Sequence, residues 1–371
     1  MNRTIHLVCL DAPSPPDYGG AIDMFYKIRA LHQSGNKIRL HFFNYKQGRN
    51  TEALEEYCET MQAYDRKSFM QSPPLTKPFI VQSRVNKQLI ERLNEDRHSV
   101  LLEGLHGAGI LPYLKEKERV VIRMHNEEAA YYHHLAQAEK SFFKKNYFKV
   151  ESRLLRKYQQ TMDKDIKLAC LSETDMAIFR DIYHFRNLSF IPCFIPWQQV
   201  SSKEGIGSYC LYHGNLSVPE NEEAAAWLIA FVFSRIGVPL IIAGKGISAR
   251  LIGEGKQFKH ISFVNNPSIA EIDKLVSEAH INVLPSMNRT GVKLKLLNAL
   301  LNGRFCITNK EGVMGSSIKI GLAVLQDAGA WVNAIQELME QTFATTHLAE
   351  REDILHLYNN ATNAAKLNAL W

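Results

Sequence analysis

Short apolar runs alternate with longer amphipathic stretches along the whole chain. Apolar runs of strand length, separated by segments with helical periodicity, are typical of parallel sheets whose strands are joined by crossover helices. We predict two sets of about six strands, and therefore two doubly wound α/β units. The predicted strands are 4–10, 37–45, 99–103, 119–125, 166–172 and 188–194 in the first half, and 209–213, 239–243, 260–264, 281–285, 305–308 and 322–325 in the second.

A break in this pattern lies in the middle of the chain. Pro192 and Pro196 interrupt regular structure, and a polar, glycine-bearing stretch at 201–207 follows them. Segments of this composition commonly join domains. We therefore predict a first domain over 1–195 and a second domain over 205–346.

Composition and charge narrow the class of protein. The 371 residues carry a formal net charge of +6, and 46% of them are hydrophobic and 22% charged. These values are ordinary for a soluble globular protein, and the mild excess of base suits an anionic ligand such as a diphosphate or a membrane surface. The basic residues are not concentrated as they are in nucleic-acid-binding proteins, so we expect no nucleic acid partner.

The six cysteines and the amino-terminal sequence indicate the cellular compartment in which the protein is expected. The cysteines are widely spaced and form no CxxC pair, which favours buried free thiols in a reducing environment. The apolar run at 5–10 is too short for the core of a signal peptide, and no stretch approaches the ~18–20 apolar residues of a membrane span. We therefore predict a cytoplasmic protein.

Glycines lie where predicted strands meet predicted helices. Gly19 and Gly20 follow a proline-rich loop after the first strand, and uncovered amides at a helix start suit a phosphate. The alternative is a tight turn that needs a positive φ. Gly244 and Gly246 match a G-x-G-x-x-A pattern after a strand, but the acidic residue that a dinucleotide site needs about twenty positions later is missing. These two glycines therefore indicate a strand-to-helix loop beside some other nucleotide.

The strongest local pattern covers residues 285–303. A strand ends in a polar loop, and a helix is predicted to begin near Gly291 with Thr290 as its N-cap, which leaves amides free for an anionic oxygen. Lys293 and Lys295 follow. Residues two apart on a helix diverge by about 200°, so at most one of the two lysines is aimed at a ligand.

This segment, P-S-x-x-x-T-G-V-K-L-K-L-L-x-A-L-x-x-G, resembles the donor-binding segment of the retaining GT-4 group (glycosyl transferases group 1) of GT-B glycosyltransferases. The resemblance covers essentially the whole chain. It implies a GT-B fold, in which two Rossmann-like, doubly wound domains face each other across a cleft and the terminal helix at 347–371 returns to the first domain. Other stretches that resemble the family occur in the same order, at 18–20, 123–126, 171–175, 212–216 and 243–246.

The resemblance also implies a reaction and the residues that serve it. The chain would transfer a sugar from a nucleotide-diphosphate donor, UDP- or GDP-linked, to an acceptor hydroxyl, with retention and without a metal ion or other cofactor, in glycan or polysaccharide assembly. His125 would be catalytic and hold the donor sugar and phosphate, and Glu103 and His106 would contact the acceptor. The residues that would bind the donor are Gly19, Gly20, Gly214, Asn215, Gly244, Thr290, Gly291, Lys293, Lys295 and Asn298.

Asn298 stands where the family usually has a glutamate that binds the ribose. An amide also hydrogen-bonds hydroxyl groups, but it carries no charge. The alternative to a transferase is a catalytically degenerate GT-B protein that binds nucleotide-sugar or serves as a scaffold. The D-x-D sequence at 163–165 is interpreted as a solvated turn between a helix and a strand, not as a metal site.

Bases and aromatic residues are interspersed from Lys140 to Lys157. A basic aromatic helix can lie on an anionic bilayer, which would suit a lipid-linked acceptor and peripheral contact with the inner membrane face. The alternative is a core helix whose aromatic side chains face inward while its lysines face water.

Overall fold

The chain forms two compact units in the computed structural model, which describes residues 3–44, 49–73, 76–139 and 141–371. One unit comprises the residues up to Pro196 together with Tyr358–Trp371, and the other is Trp197–Leu357. Both are α/β units with a parallel sheet, as the sequence predicted.

The first unit is built on seven parallel strands in the order β3-β2-β1-β4-β5-β6-β7. Its central strands are apolar almost throughout, because helices cover both faces of a parallel sheet. Two separate apolar clusters lie in this unit and share its strands. The strands are β1 Thr4–Cys9, β2 Lys37–Asn44, β3 Thr60–Asp65, β4 Ser99–Glu103, β5 Val120–Met124, β6 Lys167–Cys170 and β7 Leu188–Phe190.

Seven α-helices and two 3₁₀ helices accompany this sheet among the described residues. The 3₁₀ helices are Glu52–Leu54 and Leu105–Tyr113. The α-helices are α1 Gly19–Gln33, α2 Phe79–Gln82, α3 Lys87–Asn94, α4 Glu128–Ala138, α5 Phe142–Thr161, α6 Glu173–Asp181 and, at the end of the chain, α14 Asn360–Asn368.

The second unit has six parallel strands in the order β10-β9-β8-β11-β12-β13. The strands are β8 Cys210–Asn215, β9 Leu240–Lys245, β10 Ile261–Asn265, β11 Ile281–Leu284, β12 Phe305–Thr308 and β13 Ala323–Val324. The helices are α7 Pro219–Trp227, which continues as a π-helix over Leu228–Phe233, α8 Ala249–Gly255, α9 Ile269–Glu278, α10 Leu294–Asn302, α11 Lys310–Val313, α12 Ala328–Met339 and α13 Thr345–Leu357.

Each sheet has a point at which its strand order reverses. The first strand of each unit is central, so that β1 lies between β2 and β4, and β8 lies between β9 and β11. The connections on either side of such a strand run over opposite faces of the sheet, and the loops at the carboxyl ends diverge into a crevice. The candidate site residues of both units lie at these carboxyl ends.

All twelve predicted strands are confirmed, although several bounds differ. Tyr45, the last residue of the second predicted strand, lies outside the described residues. β3 was not predicted, because its sequence TMQAYD contains no continuous apolar run. β3 is the edge strand of its sheet, and Tyr64 is the one residue of this strand that is fully buried, so that little burial is needed there.

The carboxyl-terminal segment was predicted as one helix over 347–371, and it is two helices. Asn359 interrupts the helical run and caps α14, because its side chain accepts a hydrogen bond from the Thr362 amide. Of these two helices, α14 belongs to the first unit and α13 to the second. Arg351 of α13 is buried in the second unit and donates to the carbonyl oxygen of Arg304.

The six cysteines are free, and five of them are buried. Among the described helices, none combines the length and the apolar character that crossing a bilayer requires.

Candidate functional site

His125 and Glu103 lie side by side at the carboxyl edge of the first sheet. Glu103 ends β4 and pairs in register with Arg123 of β5, the strand that His125 follows. The two side chains meet with 2.8 Å between His125 Nε2 and Glu103 Oε2. His125 keeps 11% of its side chain exposed, whereas Glu103 has none. The carboxylate therefore orients a ring whose other edge is accessible.

A network of buried charges stands behind this pair. Lys27 Nζ lies 2.7 Å from Asp23 Oδ2 and 2.9 Å from Glu103 Oε2. Arg123 Nη2 lies 3.3 Å from Asp23 Oδ1. Burial by itself raises the pKa of Asp23, but Lys27 and Arg123 beside it hold that pKa well below its usual value. Burial by itself also raises the pKa of Glu103, but Lys27 and His125 hold that pKa below its ordinary value. Both carboxyl groups are therefore ionised at neutral pH.

Asp23, Glu103 and His125 also offer ligand atoms within 4.8 Å of one another, a spacing that suits a metal ion. The Lys27 ammonium contacts both carboxylates of this group, and Arg123 contacts one of them. Two cationic side chains thus already balance the two carboxylates. The arrangement fits a permanent ion network better than a metal site.

The two residues predicted to contact an acceptor have different environments. Glu103 is completely buried and binds Lys27 and His125, so its carboxylate acts on the histidine and is not available to an acceptor. His106 lies in the 3₁₀ helix after β4 and lines a cavity of about 720 Å³. Its Nδ1 is buried and has no hydrogen-bond partner among the described residues. Burial lowers the pKa of His106 well below the usual value, which makes the ring neutral.

Gly19 and Gly20 begin α1, as the sequence predicted. Tyr18 occupies the N-cap position but makes no side-chain capping hydrogen bond. Its hydroxyl instead donates to Asp11 Oδ2 at 3.1 Å. A Cβ on Gly20 would approach the Tyr18 ring to 3.1 Å, so glycine allows the ring to lie over the helix start.

The helix predicted to begin near Gly291 begins at Leu294 instead. Thr290 is therefore not its N-cap, and the Thr290 amide and hydroxyl both donate to Asn288 Oδ1. Gly291 has a φ of 68°, a left-handed conformation that interrupts a helix. Lys293 takes the N-cap position, and its Nζ donates to the carbonyl oxygens of Thr290 and Gly291.

Lys295 is a partly buried cation with neutral partners. Its Nζ lies 3.2 Å from Asn221 Oδ1, 3.4 Å from the Tyr212 hydroxyl and 4.8 Å from the centre of the Tyr212 ring. No carboxylate lies within 4 Å of it in the part of the chain that the structure describes. Burial first, and then the charge of Lys293, lowers the pKa of Lys295 to about 8. An anion that reached this ammonium would relieve its unfavourable environment.

Asn221 joins Lys295 to the predicted residues at the ends of β8 and β9. Its Nδ2 donates to the carbonyl oxygen of Asn215, while its Oδ1 accepts from Lys295. Gly214 pairs in register with Gly244, and a Cβ on Gly244 would fall 1.8 Å from the Gly214 carbonyl oxygen. Only glycine permits this approach. The structure thus brings Gly214, Asn215, Gly244 and Lys295 together.

Asn298 is buried one turn further along α10 than Lys295, where it contacts α9. Its Nδ2 lies 3.5 Å from Asp273 Oδ1, and its Oδ1 accepts from Asn302 at 2.8 Å. Burial raises the pKa of Asp273, and the Asn298 amide acts against that rise. Sequence reasoning did not single out Asp273 or Asn221. Nothing in the local pattern distinguishes either from an ordinary polar residue in the first turns of a helix.

The helix α5, which contains residues 142–157 of the predicted segment, has aromatic side chains that differ in exposure. Tyr147 and Phe148 are half-buried, whereas Phe142 and Phe143 are 71% and 84% exposed. The interpretation as a core helix with inward aromatics therefore fits only part of α5. Lys140, at the start of the predicted segment, lies outside the described residues.

Comparisons with known proteins bear on both units. Residues 207–341 match the family model described as glycosyl transferases group 1. An uncharacterized 44.6 kDa protein in the cps region of Klebsiella pneumoniae is 27% identical over an alignment of 343 residues, and the match covers 85% of this chain and 85% of that protein.

Solved structures resemble the whole chain. Sucrose-phosphate synthase from Thermosynechococcus elongatus superposes with a TM-score of 0.70 at 14% identity and covers 100% of this chain and 98% of its own. Anabaena Alr3699/HepE, solved in complex with UDP, gives a TM-score of 0.67 at 10% identity, with 99% of this chain and 98% of its own covered.

These findings support sugar transfer as the class of reaction, and they agree with the parallel sheets and strand-end sites of both units. The second unit matches the glycosyl transferases group 1 family, and the chain as a whole has the GT-B glycosyltransferase fold.

Proposed function

We propose that the chain transfers a sugar from a nucleoside diphosphate donor to an acceptor hydroxyl, with retention, in the assembly of a glycan or polysaccharide. The observation that carries this proposal is Lys295, a buried ammonium whose described partners are all neutral. In such a reaction the leaving diphosphate gains negative charge in the transition state. A cation held in a dry site stabilises that charge more than it would in water.

The proposed roles of the other site residues follow from their positions at the ends of the strands. The Asn221–Lys295 contact would hold the diphosphate beside the glycine-lined ends of β8 and β9. His125, oriented by Glu103, would hold the donor sugar and phosphate. Because Lys295 and backbone amides supply the positive charge, we propose that the reaction needs no metal ion and no other cofactor.

The donor is proposed to be a UDP- or GDP-sugar. HepE, a protein of the same fold, was solved in complex with UDP, which supports a uridine nucleotide. We also place the chain in the cytoplasm, because its six free cysteines suit a reducing compartment. Phe142 and Phe143, exposed on a helix with several lysines, support peripheral contact with a membrane where a lipid-linked acceptor would lie.

Donor binding and turnover test the function directly. We expect one or two members of a panel of UDP-, GDP-, ADP- and dTDP-sugars to raise the stability of the chain. A ligand at about a hundred times its Kd adds about 2.7 kcal/mol to the free energy of unfolding. The stabilising sugar should then be transferred or slowly hydrolysed in the presence of EDTA, with retained anomeric configuration. Binding without any turnover would favour the scaffold alternative, and no stabilisation by any nucleotide-sugar would exclude the proposed donor site.

The Asp273–Asn298 pair is proposed to bind the ribose, with Asp273 supplying the carboxylate that Asn298 lacks. Asn298→Glu would then place two carboxylates side by side, and like charges in a half-buried site repel. We expect Asn298→Glu to weaken UDP or GDP binding by about tenfold in calorimetry, about 1.4 kcal/mol.

The matched control for this pair exchanges the two groups. Asp273→Asn combined with Asn298→Glu keeps one carboxylate and one amide, so we expect its nucleotide affinity to return to within about threefold of the unmodified protein. Tighter binding by Asn298→Glu alone would contradict the role given to Asp273.

A further inference from the structure

A cavity of about 720 Å³ lies in the first unit beside the carboxyl ends of β1 and β4. Phenylalanines and tyrosines make up half of the residues that line it, and three cationic side chains lie among them. A site for a free sugar would not need so many aromatic rings, and a purely apolar site would not hold cations. The lining therefore points to an amphiphilic ligand.

The cavity is polar at its strand-end side. Asp11 follows β1 and accepts a hydrogen bond from the Tyr18 hydroxyl, and His106 is part of the same lining. Because burial keeps His106 neutral, its ring can exchange a hydrogen bond with a hydroxyl group. This side suits the hydroxyl-bearing end of the ligand.

Two arginines, Arg84 and Arg66, continue the wall of the cavity from its strand-end side. Arg84 Nε donates to the carbonyl oxygen of Leu10, and its Nη1 donates to that of Ile80. Arg66 lies over the ring of Phe79, the neighbour of Ile80, with 4.5 Å from Cζ to the ring centre. These contacts order the wall from Leu10 through Arg84 and Phe79 to Arg66, and guanidinium groups suit a phosphate.

Two buried carboxyl groups lie near these arginines, and burial raises the pKa of both. Burial and then Glu127 raise the pKa of Glu128 to about 8, so this group is largely uncharged at neutral pH. Glu151 accepts a hydrogen bond from the Ile80 amide at 2.8 Å.

Aromatic side chains continue the wall outward from Arg66. The ring centre of Phe69 lies 5.5 Å from that of Phe79 and 6.0 Å from that of Tyr147 on α5. Beyond them the lining includes Lys144 and the highly exposed Phe143. The cavity thus opens among exposed aromatics and a lysine, the pattern of a surface that meets an anionic bilayer.

We propose that this cavity binds an acceptor made of a hydrocarbon chain joined through phosphate to the group that receives the sugar. The accepting hydroxyl lies against His106 and Asp11, the phosphate against Arg66 and Arg84, and the chain along Phe69, Tyr147 and Phe143. The inference rests on the proposed sugar transfer, since it names the class of acceptor for that reaction. It assigns Arg66 and Arg84 as the residues that select phosphate.

Soluble probes test this site in the full chain. Farnesyl phosphate carries both the phosphate and an isoprenoid chain, farnesol lacks the phosphate, and inorganic phosphate lacks the chain. We expect farnesyl phosphate to bind at least about tenfold more tightly than either in calorimetry. Arg66→Gln should abolish most of the preference for farnesyl phosphate over farnesol, and Phe143→Ser should weaken the binding of both about tenfold.

Phe231→Ser is the matched control, because Phe231 is also an exposed phenylalanine but lies in the second unit. The affinity of Phe231→Ser for farnesyl phosphate should equal that of the unmodified protein. Flotation with vesicles of phosphatidylcholine and phosphatidylglycerol should likewise be reduced by Phe143→Ser and not by Phe231→Ser. UDP affinity should be the same in all three variants.

Two results would overturn the inference. Equal binding of farnesol and farnesyl phosphate would show that the arginines do not select phosphate. Competition by inorganic phosphate as effective as that by farnesyl phosphate would show a site for a free anion. In either case intact nucleotide binding would leave the proposed transfer standing. Tight binding of farnesyl phosphate by a chain that binds no nucleotide would instead overturn the transfer and keep the amphiphile site.

Discussion

Lys27→Met is expected to lower the free energy of unfolding by about 3–5 kcal/mol, the cost of leaving a buried charge without its partner. Lys27 is completely buried between Asp23 and Glu103, and methionine keeps the volume of the stem while removing the ammonium. Arg123 would still contact Asp23, but Glu103 would keep only its contact with His125. Urea unfolding followed by circular dichroism measures the change.

Lys37→Met is the control, since Lys37 is an exposed lysine that lies 3.5 Å from Glu59 on the surface. We expect its unfolding midpoint to be unchanged. Lys27→Met combined with Glu103→Gln removes the carboxylate that has lost its partner, and it should recover about 1–2 kcal/mol. An unchanged midpoint in Lys27→Met would mean that the network is not held in its ionised form.

The stability that the buried charges contribute should depend on pH in a defined direction. The folded-state pKa of Asp23 lies below its ordinary value of 3.8, so its contribution to stability is present above that pH. The contribution is lost as the pH falls further, through the folded-state value. In Lys27→Met the lysine charge no longer counteracts burial, so the pKa values of Asp23 and Glu103 rise. The loss of stability relative to the unmodified protein should therefore shrink as the pH is lowered.

Lys295→Met is expected to weaken UDP or GDP binding by about 1.5–3 kcal/mol, the contribution of a charge-assisted hydrogen bond. Without ligand the same change should leave the protein as stable or more stable. The ordinary pKa of lysine is 10.5 and that of Lys295 is about 8, which corresponds to a cost of about 3 kcal/mol for keeping the buried ammonium charged. A loss of affinity together with a gain in stability is the signature of a residue placed for a ligand.

This cost predicts two opposite responses to pH. The unfolded lysine holds its proton up to 10.5 and the folded one only to about 8, so stability without ligand should rise between these pH values. Nucleotide affinity should fall over the same window as the ammonium is lost. Both responses should be absent in Lys295→Met and present in Lys256→Met, which changes an exposed lysine at the end of α8. Binding of UDP and GDP by Lys295→Met as tightly as by the unmodified protein would show that the lysine does not meet the diphosphate.

The alternation of apolar runs and helical patterns was sufficient to predict two doubly wound units. Parallel strands covered on both faces must be apolar along their whole length, and that requirement is visible in the sequence. The edge strand β3 is the exception, because a strand with exposed side chains needs no such run. The GT-B resemblance was likewise visible, since it depends on short segments whose order the sequence preserves.

The start of α10 was beyond local reasoning. Thr290 and Gly291 have the residue types of a cap and a first helical turn, but Asn288 takes both Thr290 donors. The left-handed Gly291 then delays the helix until Leu294. Such competition between a side chain and the backbone is decided by the loop's full set of hydrogen bonds.

The sequence by itself determined the fold class and the strand ends where polar residues gather. Only the tertiary structure decided what each charged side chain does there. Asp23 and Lys27 look like an ordinary surface pair four residues apart, yet the sheet buries them against Glu103 and Arg123. Lys293 and Lys295 are equivalent in sequence, yet the first binds loop carbonyls and the second contacts the side chains of Asn221 and Tyr212. The physical reason is that periodicity reports the direction of a side chain along its own element, whereas burial and charge pairing depend on what the other elements place opposite it.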